Sequence, residues 1–143
     1  MEITTANGFL ISDDKARIQP ETVKRLLNTT YWAGSRELDV VQKSIETSMC
    51  VGIYKEDAQI GFARIVTDDV TIYWLCDVVV DEKFRGQGLG KALIDFIANH
   101  QRLIPLRGLL MTRDAHGLYA QYGFAPIPTE AMTKPRPNGS VES

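Results

Sequence analysis

The stretch of this sequence most able to do chemistry is Arg85-Gly86-Gln87-Gly88-Leu89-Gly90-Lys91. Its glycines stand directly ahead of an apolar helical pattern, so the turn opens a helix and leaves several backbone N–H groups without partners. The helix macrodipole adds partial positive charge at the same place, which makes a phosphate or pyrophosphate the natural ligand. A Cβ at 86, 88 or 90 would keep the backbone from wrapping an anion or from reaching left-handed angles. Spacing excludes two familiar phosphate motifs. A P-loop ending at Gly90-Lys91 needs glycine at 85 and Ser or Thr at 92, where Arg85 and Ala92 stand. A dinucleotide fingerprint starting at Gly86 needs its third glycine at 91, where Lys91 stands, and no acidic residue ends a strand about twenty positions on.

Other reactive groups are few. Asp77 interrupts the apolar run TIYWLCDVVV; a carboxylate there either faces a cleft or is buried with a partner, and burial alone would raise its proton affinity toward that of a useful base. Cys76 sits between Leu75 and Asp77, neighbours that disfavour a thiolate, so a covalent route through it is not expected. Cys50 and Cys76 lack CxxC spacing and read as buried thiols, with no disulfide and no metal site. His116, near Asp114, reads as a solvent-facing histidine in preference to a proton shuttle.

These groups need elements to hold them. Phe9 to Ile11 gives a short strand signal, and Pro20 suits the first turn of a helix carrying Val23, Leu26 and Leu27. From Asp39, residues Val40, Val41, Ser44, Ile45 and Ser48 recur at helical spacing, ahead of a strand over Met49 to Tyr54. Ile60 to Val66 pairs back as a hairpin, with Gly61 at a bulge or close approach, and Thr71 to Val80 reads as a central strand buried on both faces. Leu89, Ala92, Leu93, Phe96 and Ile97 predict an amphipathic helix to about His100, followed by a strand over Leu106 to Met111. Asp114 is the expected N-cap of a short helix that Gly123 terminates; Phe124 to Ile127 should resume extended structure. The class is α/β, with helices covering a mixed, mostly antiparallel sheet.

The chain has 143 residues, the size of one domain, placed at 1–133, with a Pro-, Gly- and Ser-rich tail at 134–143 expected to be disordered. Sixteen Lys and Arg against eighteen Asp and Glu, with no basic run, argue against a nucleic-acid partner. No signal-peptide pattern or membrane-length apolar run is seen, so no membrane partner and a cytoplasmic location are expected.

The pattern Arg85-x-x-Gly88-x-Gly90 after Val78-Val79-Val80 resembles the acetyl-CoA-binding motif of the GCN5-related N-acetyltransferase (GNAT) superfamily. Downstream, Leu118-Tyr119-Ala120-Gln121-Tyr122-Gly123-Phe124 is similar to that family's L-Y-x-x-x-G-F element, and the likeness to small bacterial members extends from about Tyr31 to Ile127. The resemblance implies a sheet splayed at its central strand and acetyl-CoA as acyl donor. It implies that Val78, Val79 and Val80 border the pantetheine arm and that Arg85, Gly86, Gln87, Gly88, Leu89, Gly90 and Lys91 line the pyrophosphate. It places Tyr31, Trp32 and Arg36 beside the acceptor cleft, and a homodimer is expected, with a late edge strand near Phe124 as its surface. Arg64 and Arg113 are expected as surface or coenzyme-phosphate contacts.

Acetyl transfer to a primary amine of a small molecule or peptide needs a neutral nucleophile, yet an amine of pKa about 10.4 is only about one part in a thousand neutral at pH 7. Asp77 is the candidate base or amine-binding group. The departing thiolate needs a hydroxyl of high pKa, and Tyr119 is the candidate acid, about 100° round the helix from the Leu118 and Tyr122 stripe. Direct attack in a ternary complex is expected. A longer acyl donor, or a non-catalytic acyl-CoA-binding module, would use the same loop.

Overall fold

The computed structural model describes residues 1–137. Most of the expected tail lies outside the described residues, and Lys134 to Pro137 are exposed and carry neither helix nor strand. Among the described residues six strands form one sheet in sequence order: β1 (Glu2–Thr4), β2 (Leu10–Ser12), β3 (Met49–Lys55), β4 (Ala58–Thr67), β5 (Ile72–Val80) and β6 (Arg107–Leu110). All neighbours are antiparallel except β5 and β6, which are parallel and joined through α3 (Leu89–Ala98). Helices α1 (Pro20–Leu27) and α2 (Leu38–Glu46) precede β3, and α4 (His116–Ala120) follows β6. The mixed, mostly antiparallel α/β layout expected from the sequence is present.

Two apolar cores follow from the alternation of side chains across the strands. Leu93, Ile94 and Ile97 of α3 pack with Ile53, Ile65 and Leu75, and Tyr119 of α4 joins them. Val23, Leu26 and Leu27 of α1 and Val41 and Ile45 of α2 form the second core with Phe62 and Val79. β5 therefore contributes to both cores, as its unbroken apolar run requires.

Two irregularities shape the sheet. At Gly61 a Cβ would stand 2.7 Å from Ile53 Cδ1, so any side chain there would force the buried Ile53 to shift, and the β3–β4 register shifts next to it. Between β4 and β5, Arg64 pairs with Cys76 and Phe62 with Val79, so Asp77 and Val78 together oppose Ala63. That is a bulge, and Asp77 takes a φ of +56° within it.

Two sequence expectations are corrected. Phe124 to Ile127 form no strand, because Pro126 and Pro128 remove ladder donors there, so no late edge strand is available near Phe124 as a dimer surface. Asp114 does not cap α4; Ala115 occupies the N-cap position and the Thr112 hydroxyl accepts its N–H at 3.1 Å. Gly123 does take a left-handed φ of +91° after α4. Among the described residues, no helix is long and apolar enough to cross a membrane.

Candidate active site

The β5–β6 ladder runs from Ile72 opposite Arg107 to Leu75 opposite Leu110 and stops there, while β5 continues to Val80. Beyond Leu75 the two parallel strands part, and the backbone of Cys76 to Val80 has no β6 partner. A cavity of about 690 Å³ lies along this opening. Its wall includes Leu75 to Val80, most of the glycine loop, Thr29 to Trp32 from the α1–α2 connection, and Met111, Thr112, Asp114, Ala115 and Leu118 from the approach to α4 and its first turn.

Among the described residues the loop leaves a run of backbone amides unpaired. A single 3-10 turn at Glu82–Phe84, whose Lys83 N–H is held by the Asp81 carboxylate at 3.0 Å, delivers the chain to Arg85. Gly86 and Gly88 then take φ values of +81° and +77°, and Gly88 is the N-cap of α3. The first amide to close a helical bond is Ala92, onto Gly88 O at 3.0 Å; none of the amides from Gly86 to Lys91 has a partner among the described residues. Glycine at 86 and 88 is thus demanded by backbone angle. At Gly90 φ is not left-handed and nothing lies within 4 Å of the position of a Cβ, so this chain's own packing imposes no need for glycine there.

The expected donor-side residues divide. Val78, Val79, Val80, Arg85, Gly86, Gly88, Leu89 and Gly90 line the cavity; Gln87 and Lys91 are exposed at its margin. The Arg85 Nε donates to Val80 O at 3.2 Å, which fastens the loop to the end of β5.

Tyr119 lines the same cavity, packed edge-on against Phe124 with centroids 5.9 Å apart. Burial, with the nearby Asp114 carboxylate and Tyr31 adding to it, pushes its phenol up to about 12. Its hydroxyl makes no hydrogen bond within the described residues. Cys76 also borders the cavity, but burial pushes its thiol up to about 12 and its Sγ lies 3.5 Å from Arg64 O.

Asp77 is placed differently from a free base. Its side chain is 0% exposed, and Oδ2 accepts from Arg36 Nη1 at 2.7 Å and from Arg64 Nε at 2.8 Å. Oδ1 is buried without a hydrogen bond among the described residues. Arg36, expected at the acceptor cleft, is instead buried at this carboxylate, whereas Tyr31 and Trp32 do line the cavity. Arg64, expected at the surface or on a coenzyme phosphate, also turns to Asp77. Arg113 stacks over the Tyr31 ring at 4.3 Å, and Tyr31 meets Trp32 edge-on at 4.9 Å. His116 is exposed and lies outside this cavity wall.

Sequence reasoning missed Thr29, Thr30, Phe84 and Met111 as lining residues. It also missed Asp114 in that role, having assigned it to a cap.

Comparison with known proteins agrees with the geometry. The family model described as acetyltransferase (GNAT) domain matches residues 46–126. A candidate acetyltransferase of Gibberella zeae is 24% identical over 139 residues, covering 82% of this chain and 78% of its own. The crystal structure of a GNAT-family protein from Xanthomonas campestris pv. campestris superposes with a TM-score of 0.85 at 38% identity, over 90% of this chain and 94% of that one. A GNAT acetyltransferase of Elizabethkingia anophelis, solved with acetyl-CoA bound, shares the fold with a TM-score of 0.63 at 18% identity, over 82% of this chain and 76% of that one. The chain belongs to the GNAT acetyltransferase family.

Proposed function

We propose that the protein moves an acetyl group from acetyl-CoA to a primary amine of a small molecule or peptide, by direct attack in a ternary complex. The observation that carries this reading is that one cavity is lined by Gly86, Gly88, Leu89 and Gly90, whose amides are unpaired among the described residues, by the open backbone edge of Cys76 to Val80, and by Tyr119. The amides and the helix dipole suit a pyrophosphate, flanked by the exposed cations of Arg85 and Lys91. The open edge of β5 suits the amide groups of a pantetheine arm, which can bond to it as a strand would.

In the reaction the amine nitrogen bonds to the thioester carbonyl carbon, the C–S bond breaks, sulfur gains a proton and nitrogen loses one. Tyr119 keeps its proton at neutral pH. Full transfer from a phenol near 12 to a thiolate with a pKa of about 8.5 would be uphill by about 5 kcal/mol. Tyr119 therefore acts by donating a hydrogen bond to sulfur as the C–S bond breaks, and the proton shed by nitrogen completes the thiol. The neutral fraction of the amine supplies the nucleophile, since the enclosed Asp77 carboxylate does not reach the cavity surface. A route through Cys76 is disfavoured because its thiol stays protonated.

The test is release of CoA thiol from acetyl-CoA with a broad amine panel, wild type beside Tyr119→Phe. Amine-dependent release that falls in the variant supports the reading. Binding of acetyl-CoA with no release for any amine would favour a non-catalytic module.

A further inference from the structure

Asp77 holds an unfavourable backbone. A φ of +56° is a region that an aspartate enters at some cost, and the residue stands at the register shift where it and Val78 oppose the single Ala63. Such a conformation persists only when its surroundings over-determine it, and here two guanidiniums do so.

The two arginines come from different parts of the fold. Arg64 lies on β4 beside the bulge, and its Nη1 also donates to Ser48 Oγ at 3.2 Å, so it ties Asp77 to the sheet. Arg36 lies in the α1–α2 connection, four residues after Trp32, and its side chain is 5% exposed. That connection is a series of turns tied to α1 at its start, where the Thr29 and Thr30 hydroxyls donate to Leu26 O and Leu27 O at 2.6 Å; beyond them Ala33 N–H donates to Thr30 Oγ1 at 3.2 Å, Arg36 N–H donates to Ala33 O at 3.2 Å, and Ala33 and Trp32 pack with the α1–α2 core.

We propose that Asp77 and Arg36 are positioning residues: their ion pair fixes the Tyr31–Trp32 segment to the bulge of β5, so that one buried contact sets the spacing between the acceptor-side wall and the donor strand. The acceptor half of this statement rests on the function proposed above; the mechanical half does not. The carboxylate acts through Arg36 and never touches substrate. Removing Arg36 leaves Asp77 paired with Arg64, so the bulge survives while the connection is released. Removing Asp77 leaves two guanidiniums facing each other.

Trp32 reports on this directly. The chain has two tryptophans, so Trp74→Phe leaves Trp32 as the single tryptophan, excited selectively at the red edge of its absorption where tyrosine does not absorb. In that background, Arg36→Met should raise the acrylamide quenching of Trp32 severalfold. Acetyl-CoA affinity should stay within about twofold while the KM of an amine acceptor rises about tenfold or more, the split expected when only acceptor geometry is loosened. Arg36→Lys should restore part of both effects, because an ammonium can still reach the carboxylate. Unchanged Trp32 quenching in folded Arg36→Met overturns the proposal, as does acetyl-CoA affinity falling in step with acceptor KM. Should Arg36→Met fail to fold, Arg36→Lys carries the test, with smaller changes in the same directions expected and none overturning it. The quenching arm needs no substrate, so it decides the linkage even if the parent protein fails to bind acetyl-CoA.

Discussion

Arg36 and Asp77, 41 residues apart in sequence, meet at 2.7 Å behind the wall of the candidate active site. The contact joins a loop before α2 to the strand at which the sheet opens, and both partners are almost fully enclosed. Buried pairs of this kind are expensive to break, because the partner left behind keeps its desolvation cost without its counter-charge. Asp77→Asn should therefore destabilise the fold by about 3 to 5 kcal/mol, measured by denaturant unfolding. Arg36→Met should cost clearly less, since Arg64 still neutralises the carboxylate.

Gly88 and Gly90 separate the demands of the fold from those of the ligand. Gly88→Ala places a Cβ on a residue at φ +77°, and should cost about 1 to 2 kcal/mol in stability along with acetyl-CoA affinity. Gly90→Ala meets no atom within 4 Å and lies in the first turn of α3, so it should leave stability unchanged or raise it by up to about 1 kcal/mol. Its acetyl-CoA affinity should nevertheless fall. Thermal unfolding alongside calorimetric titration reads both quantities on the same sample.

Tyr119→Phe should lower kcat by about tenfold to a hundredfold while leaving acetyl-CoA affinity within about twofold, because the hydroxyl is used as the C–S bond breaks and not to hold the donor. The wild-type rate should rise with pH as the amine becomes neutral. No decline from Tyr119 ionisation should appear until about pH 12.

Stability at alkaline pH should fall. Burial raises the thiols of Cys50 to about 11 and Cys76 to about 12, from an ordinary value of 9.0. Between pH 9 and those values the unfolded chain releases protons that the folded chain retains, so unfolding is favoured as pH rises. The stabilisation relative to ionised thiols is complete below pH 9 and is lost through about pH 12, with Tyr119 adding to the slope above its ordinary 10.0. Denaturant melts between pH 8 and 10.5 should show the decline, and Cys50→Ser with Cys76→Ser should flatten it.

Periodicity in the sequence was enough to place the helices at Pro20 and Leu89 and the β3–β4 hairpin, since each buries one regular face. β1 was invisible because Glu2, Ile3 and Thr4 are all exposed; they are held by pairing to β2 and by the bonds of Glu2 to Ser12 and Arg17, not by burial. Phe124 to Ile127 misled because apolar content suggested a strand that two prolines deny. In the site, local spacing pointed to the glycine loop as an anion site, while Tyr119 was singled out by the resemblance to the family's motif. The surroundings of Asp77 were not legible: an isolated carboxylate in an apolar strand announces that a partner exists, but Arg36 and Arg64 reach it only through the packing of a distant loop and a neighbouring strand.

The measurement that bears most directly on the account is titration of acetyl-CoA into the purified protein, followed by calorimetry and by the melting temperature. A single site per chain that raises the melting temperature and is weakened by Gly90→Ala without loss of stability is the predicted result. Absence of binding and of any thermal shift at millimolar acetyl-CoA, by a protein that is folded, would contradict it.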